Sequence, residues 1–535
     1  MVNYKAFLSI AFTLVLSYQS LAQVNRYMVF FNDKANSPYS IENPSAYLTQ
    51  RAIDRRTNQN IAITEEDLPV NPGYIDGIRE LEVETYFTTK WMNGVLIQTE
   101  PGKLASIEAL TYVSHIEFVA PNQRLTVQVT ADPGFTGNQN FSPGELNNRS
   151  QRNMLGAIDM NEAGFTGADV QIALMDGGYR NVNTSSYFSY LFTSGQYLGG
   201  KDYVTNGNNA FQYSTHGTGA LSTIVGDAGT EFRGVAYESP VLLLVTEDVA
   251  TEYRIEEYNW LFGAEYADSL GIDILSTSLG YTDFDDPSMS YTNQDLDGAT
   301  AVITRAAELA FSKGMFVVTS AGNSGDSAWR LISTPADGPN VLAVGAVNNT
   351  RIRADFSSVG PSADGRIKPD VMAQGSPSFL FRSDFTTSSG TSFSAPLVTG
   401  LAAGLWQANP DWNNVQLLQA IKARGSQADA PNNLVGYGIP HFELNRVLTV
   451  DEEPLKWSFY PNPITTGSMT LESLNANLEE VLLFNESGQE VTISIPLSEP
   501  RKIQLDLTDK ASGIYFLKLR TQHGSETIRI LNYPN

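Results

Sequence analysis

The chain has no cysteine, only four histidines in 535 residues, and many fewer basic than acidic side chains. The first absence excludes disulfides, thiol catalysis, iron–sulfur clusters and cysteine-ligated zinc, so an exported form must be held by packing. The histidines, His115, His216, His441 and His523, are scattered, and none stands in a His-Glu-x-x-His pattern, which argues against a histidine-rich metal centre. With 34 Lys+Arg against 58 Asp+Glu, the formal net charge is -24. Such a surface repels phosphate backbones, so nucleic acid is not expected as a partner. The acidic residues are dispersed rather than collected in a tail, which suits a solvated acidic surface. Long hydrophobic runs are also missing. The run at residues 6–16 falls well short of the about 20 apolar residues that a membrane span requires. Lys5 precedes it and Ser20-Leu21-Ala22 follows, so residues 1–22 read as an export signal cut before Gln23.

A chain of this length with 42% apolar residues exceeds one core, and three blocks follow the signal. Residues 23–149 read as a small α/β unit. Strand-like stretches at 26–31, 83–89, 94–99 and 113–119 surround helix-like stretches at 44–56 and 101–110, and a Gly-, Pro-, Asn- and Ser-rich linker ends the block at 131–149. In residues 150–449, short runs apolar on both faces (170–175, 241–245, 272–277, 316–320 and 341–346) alternate with helical stretches such as 252–269 and 298–313. This pattern predicts an α/β fold with a parallel sheet flanked by helices, in which functional residues gather at the carboxyl ends of the strands. A charged hinge at 450–456 precedes residues 457–535, whose short alternating strands predict a small β-sandwich.

Four segments of the central block stand at predicted element boundaries. Asp176-Gly177-Gly178 ends a buried strand, Thr215-His216-Gly217-Thr218-Gly219 opens a helix, and Ser320-Ala321-Gly322-Asn323 follows another strand. Gly390-Thr391-Ser392-Phe393-Ser394-Ala395-Pro396 opens the helical run at 397–407, which puts Ser392 in a first turn, beside free N–H groups and the positive dipole end. Taken singly, each has an ordinary reading as a turn or a cap. Together, a carboxylate, an imidazole and a hydroxyl are what acyl transfer needs. The serine is a poor nucleophile until a histidine takes its proton, and a buried carboxylate must hold that histidine in the right tautomer.

Asp-Gly-Gly, His-Gly-Thr-Gly, Ser-Ala-Gly-Asn and Gly-Thr-Ser-Phe-Ser-Ala-Pro resemble the four signatures of the subtilisin-like (subtilase) family, and the order Asp, His, Ser is that of subtilisin. The resemblance covers the whole central block and implies a subtilisin-like parallel sheet and a serine endopeptidase. It implies Asp176, His216 and Ser392 as the catalytic triad and the Asn323 amide with the Ser392 N–H as oxyanion donors. Ser278-Leu279-Gly280 and Ser320-Ala321-Gly322 would be substrate-binding walls. No acidic residue stands in these walls, so a large apolar or neutral side chain is expected before the scissile bond. Gly177 departs from the family's usual Ser or Thr. No cofactor is required for the chemistry. Subtilases often carry structural calcium, and aspartates cluster at 283–286 and 295–297, although a solvated acidic loop competes with that reading and no metal ligand is assigned.

The flanking blocks carry resemblances of their own. Residues 23–149, through Arg51-Ala52-Ile53-Asp54-Arg55-Arg56, are similar to the pro-region of such proteases from Bacteroidetes, a folding aid and inhibitor that is later cleaved off. Tyr460-Pro461-Asn462-Pro463 and Gly513-Ile514-Tyr515-Phe516-Leu517-Lys518 resemble the sorting domain of the type IX secretion system. They imply a protein secreted by, or held on the surface of, a Gram-negative cell, exported via the periplasm. Its expected partners are protein or peptide substrates, the secretion machinery and its own pro-region, and a monomer is expected. Two other classes compete: a catalytically silent subtilisin-like adhesin, against which the complete set of motifs argues, and a lipase or esterase, whose Gly-x-Ser-x-Gly elbow is absent around Ser392.

Overall fold

The computed structural model describes residues 24–121, 148–229, 232–443, 457–473, 477–485, 488–499, 501–521 and 524–533. The expected export signal and the charged hinge lie outside these residues, as does most of the expected linker. The chain divides into two compact units, Met1–Leu444 and Asn445–Asn535.

The first unit opens with four strands, β1 (Asn25–Phe31), β2 (Glu84–Thr89), β3 (Gly94–Thr99) and β4 (Val113–Pro121), in the antiparallel order β2-β3-β1-β4. Period-two alternation divides their side chains between two cores. Tyr27, Val29 and Phe31 pack with Ile75, Ile78, Val95, Ile97 and Ile107 under the block's own helices. Met28, Phe30, Trp91 and Leu96 join the core of the following block. The expected helix at 44–56 is a short 3-10 turn, Pro44–Ala46, and a helix, Gln50–Asn58, whose Thr49 side chain caps Ala52 N–H. A further helix, Pro72–Arg79, capped by Asn71, was not expected from the sequence.

The central sheet has seven parallel strands: β5 (Ile172–Asp176), β6 (Tyr197–Asp202), β7 (Val241–Val245), β8 (Ile274–Thr277), β9 (Phe316–Ser320), β10 (Leu342–Asn348) and β11 (Val371–Ser376), in the order β11-β10-β9-β8-β5-β7-β6. β5, β7, β8 and β9 are wholly buried, which is why they read as unbroken apolar runs. Edge strand β6, with Gly199 and Gly200 inside it, was not expected.

Helix Ile255–Leu270 carries the contact with the first block. Asp268, fully buried on it, meets three cations: Arg55 Nη2 at 2.6 Å, Arg56 Nη2 at 2.9 Å and Lys90 Nζ at 2.8 Å. These attractions outweigh burial and hold its carboxyl well below the usual carboxylate range. Glu265, one turn earlier, accepts the N–H groups of Lys90 and Trp91 at 2.8 and 3.1 Å, and burial pushes its pKa up to about 7. Arg51 pairs with Asp273 at the start of β8.

The second unit holds two four-stranded antiparallel sheets. Trp457–Tyr460, Ser468–Ser473, Lys502–Asp506 and Ser494–Glu499 form one, in that spatial order. Glu490–Val491, Leu478–Asn485, Gly513–Thr521 and Gly524–Asn532 form the other. Their inward residues, among them Met469, Leu471, Leu483, Leu505, Leu517 and Ile530, share one core, as a sandwich requires. Among the described residues, no helix is long and apolar enough to cross a membrane.

Candidate active site

The predicted residues meet at the carboxyl ends of adjacent strands β9, β8, β5 and β7, around a cleft of about 550 Å³. Asp176 is the last residue of β5 and is buried. His216 is the first residue of helix His216–Val225. Its Nδ1 lies 3.0 and 2.9 Å from the two Asp176 carboxylate oxygens, and Gly177 N–H donates to Oδ1 at 2.8 Å. The helix approaches the strand end closely because Gly217 has no side chain. A Cβ there would lie 2.6 Å from the Gly178 carbonyl oxygen and 2.9 Å from Asp176 Cβ. Burial disfavours the imidazolium, but the Asp176 charge and hydrogen bond, with Glu247 beyond, outweigh it and raise the His216 pKa above its ordinary value.

Ser392 occupies the first turn of helix Thr391–Ala408. Its N–H is one of the first-turn donors with no acceptor inside the helix. Its hydroxyl donates to the Ser278 carbonyl oxygen at 3.2 Å. In return, the Ser278 hydroxyl donates to the Ser392 carbonyl oxygen at 2.8 Å. That carbonyl needs an outside donor because the residue four positions on is Pro396, which has no N–H. Thr391 orients Asn323: its N–H and hydroxyl both donate to Asn323 Oδ1, at 2.9 and 3.0 Å, which leaves the Nδ2 donors for the cleft that Asn323 lines.

Of the expected wall residues, Ser278, Leu279, Gly280, Ser320 and Gly322 line the cleft. Ala321 does not: it is fully buried behind the wall, packed with Leu296, Ile332, Ala336 and Ala343. The loop aspartates are engaged in local turns. Asp286 accepts from Ser288, Asp295 from Thr292, and Asp297 from Ala299 and Thr300, while Asp285 accepts Glu252 N–H.

Sequence reading missed the acidity of the cleft. Glu247, Asp248 and Glu252, from the loop after β7, and Asp285 all line it. The rule that pointed to Asp176 applies equally to β7, whose carboxyl end runs directly into Thr246-Glu247-Asp248. The glycine at 177 belongs to the same feature, since a Cβ there would stand 2.7 Å from Glu247 Oε2.

Comparison with known proteins bears on the whole chain. Residues 26–132 match the family described as "Peptidase S8 propeptide domain, Bacteroidota". Residues 458–532 match the "Secretion system C-terminal sorting domain", which marks the chain for secretion or the cell surface. The chain is 31% identical over 267 residues to subtilisin amylosacchariticus of Bacillus subtilis subsp. amylosacchariticus, covering 49% of this chain and 62% of that protein. It is 30% identical over 267 residues to a subtilisin of Bacillus pumilus, of which 86% is covered. With an alkaline protease of Shouchella clausii, identity is 24% over 436 residues, which is 82% of this chain and 95% of that protein. The match with the first of these thus spans less than two thirds of the relative's length. Residues 167–438, about half of the chain, match the model of the subtilase family, and the chain belongs to that family.

Proposed function

We propose that this protein is a secreted serine endopeptidase, made as a precursor, that hydrolyses peptide bonds of proteins through Asp176, His216 and Ser392. The observation that carries this reading is the placement of His216 Nδ1 against both oxygens of buried Asp176, in one cleft with Ser392 and Asn323. Asp176 fixes the tautomer that leaves Nε2 as the base. A rotation about the Ser392 side chain exchanges its bond to Ser278 for one to Nε2. The hydroxyl then attacks the scissile carbonyl while His216 takes its proton. Negative charge developing on the carbonyl oxygen faces Asn323 Nδ2 and the Ser392 N–H, donors already oriented before reaction begins. His216 returns the proton to the departing amine, and water releases the acyl group by the same steps in reverse. Every group in this sequence is a side chain or backbone N–H of the chain, so the chemistry needs no cofactor.

Ser278-Leu279-Gly280 offers an extended edge for an unfolded substrate segment, and Ser320 and Gly322 face it across the primary pocket. The first block acts as inhibitor until it is cleaved off. Its β4 ends at Ala120 and Pro121, which line a small cavity with Asp248 and Thr251, and those two also line the cleft. The chain therefore leaves the block at the mouth of the site. The test is hydrolysis of unfolded casein by purified protein. The wild type is expected to cleave it and Ser392→Ala to lose nearly all activity with the fold unchanged. A silent wild type, or an active alanine variant, overturns the reading.

A further inference from the structure

Behind the acidic end of the cleft, three glutamates from one short stretch converge. Glu247 and Glu252 lie in the loop after β7, and Glu256 in the first turn of helix Ile255–Leu270. Their ligand oxygens all lie within 4.8 Å of one another. Glu256 is fully buried. Its Oε1 accepts the Tyr253 N–H at 3.3 Å, but Oε2 has no hydrogen-bond partner. Two further buried oxygens lack partners: Asn259 Oδ1, on the same face of the helix one turn on, and the Tyr281 hydroxyl. A carboxylate oxygen kept dry and unpaired is strongly unfavourable, and native proteins pair such groups or give them to a metal.

We propose that Glu247, Glu252 and Glu256 bind a divalent cation of calcium's class. All the donors are hard oxygens, with no nitrogen or sulfur. Calcium takes oxygens at about 2.3–2.6 Å, so two ligands of one ion stand no more than about 5 Å apart, a limit the trio satisfies. Burial and mutual repulsion push Glu252 up to about 8 and hold Glu256 well above the usual range. Besides burial, the largest influences on both are other carboxylates: Glu247 for each, with Asp285 and Glu257 on Glu252, and Glu252 and Asp248 on Glu256. The Tyr281 hydroxyl feels Glu256 most among charged groups, then Glu247 and Glu252. A cation among them removes that repulsion. The rival occupant is a basic group of the substrate, because Glu247 and Glu252 also line the cleft. Glu256 does not line it, so its unpaired oxygen lies where a bare ion reaches and a chain-borne group does not. The ion would tie the loop that walls the cleft to the helix on which the first block docks.

The experiment uses the full chain carrying Ser392→Ala, so it does not depend on the peptidase reading. The protein is stripped with EDTA and titrated with Ca2+ while the thermal midpoint is followed, and separately with Tb3+, whose luminescence neighbouring tyrosines excite. Ca2+ is expected to raise the midpoint and to compete away the terbium signal. Glu256→Gln and Glu252→Gln are each expected to weaken that affinity by roughly tenfold or more, as loss of one charged ligand does. In EDTA, Glu256→Gln is expected to melt no lower than its parent, because it removes a buried carboxyl that burial and the neighbouring carboxylates disfavour. That measurement also shows that the variant folds. Equal Ca2+ affinity in the parent and both glutamine variants overturns the proposal. So does binding of lysine- or arginine-containing peptides in EDTA that requires Glu256 while Ca2+ changes nothing, an outcome that assigns the trio to a substrate cation.

Discussion

Asp268→Asn should release the first block without touching the cleft. In the precursor, Asp268 is fully buried and faces Arg55, Arg56 and Lys90 at 2.6, 2.9 and 2.8 Å, all three of them almost fully buried. An amide of the same size cannot neutralise three cations. Arg56 keeps Asp67 at 2.8 Å, so part of the charge remains compensated. Removing one member of a buried ion cluster costs about 3–5 kcal/mol, because the partners stay buried and unpaired. With the compensation by Asp67, the lower end applies, and about 3 kcal/mol is roughly a hundredfold in affinity. The assay is inhibition of the mature enzyme, acting on a small chromogenic peptide, by the first block added in trans. Asp268→Asn in the enzyme should raise the inhibition constant about a hundredfold and leave kcat/KM for the peptide unchanged. Arg55→Met in the inhibitor should cost a similar amount, and the two changes together should cost less than their sum, since both break one contact. An unchanged inhibition constant, or strictly additive losses, would refute the assignment of this cluster as the docking anchor.

Two further outcomes follow from the site. Because the Asp176 charge holds the His216 pKa above its ordinary 6.5, and only neutral imidazole acts as a base, kcat/KM should rise with pH through a midpoint above that value; a midpoint below it contradicts the pairing. In stability the sign is the opposite. The raised pKa means the pair contributes fully below the unfolded value and is lost as pH rises through the folded one, so Asp176→Asn should destabilise the Ser392→Ala protein more at about pH 6 than at about pH 9 in urea titrations. Ser278→Ala should leave the Ser392 carbonyl without a donor, since Pro396 supplies none. A loss of about 1–3 kcal/mol in stability is expected, together with a fall in kcat that KM does not share, and unchanged values of both would show that the bond does not hold Ser392 in place.

The buried strands β7 and β9 were legible residue for residue, at Val241–Val245 and Phe316–Ser320, because a strand covered on both faces must be apolar throughout and its ends are marked by polar or glycine residues. The positions of Asp176, His216, Asn323 and Ser392 were legible for a related reason: each stands at an element boundary or in the short loop beyond one, and short Gly-rich signatures mark those places. Edge strand β6 was not, since its glycines and its exposure, with only Asp202 buried, weaken the pattern that local sequence can show. Nor did sequence show which distant segments meet. Arg55 and Asp268 are 213 positions apart, and Ser278 and Ser392 are 114. In the aspartate-rich loop Asp286, Asp295 and Asp297 serve local turns, while the converging carboxylates come from the loop after β7 and the helix that follows. Local chemistry determines what each segment does with its own backbone. Only the strand order β9-β8-β5-β7 decides which strand ends share a cleft, and with them which charges are left facing each other out of water.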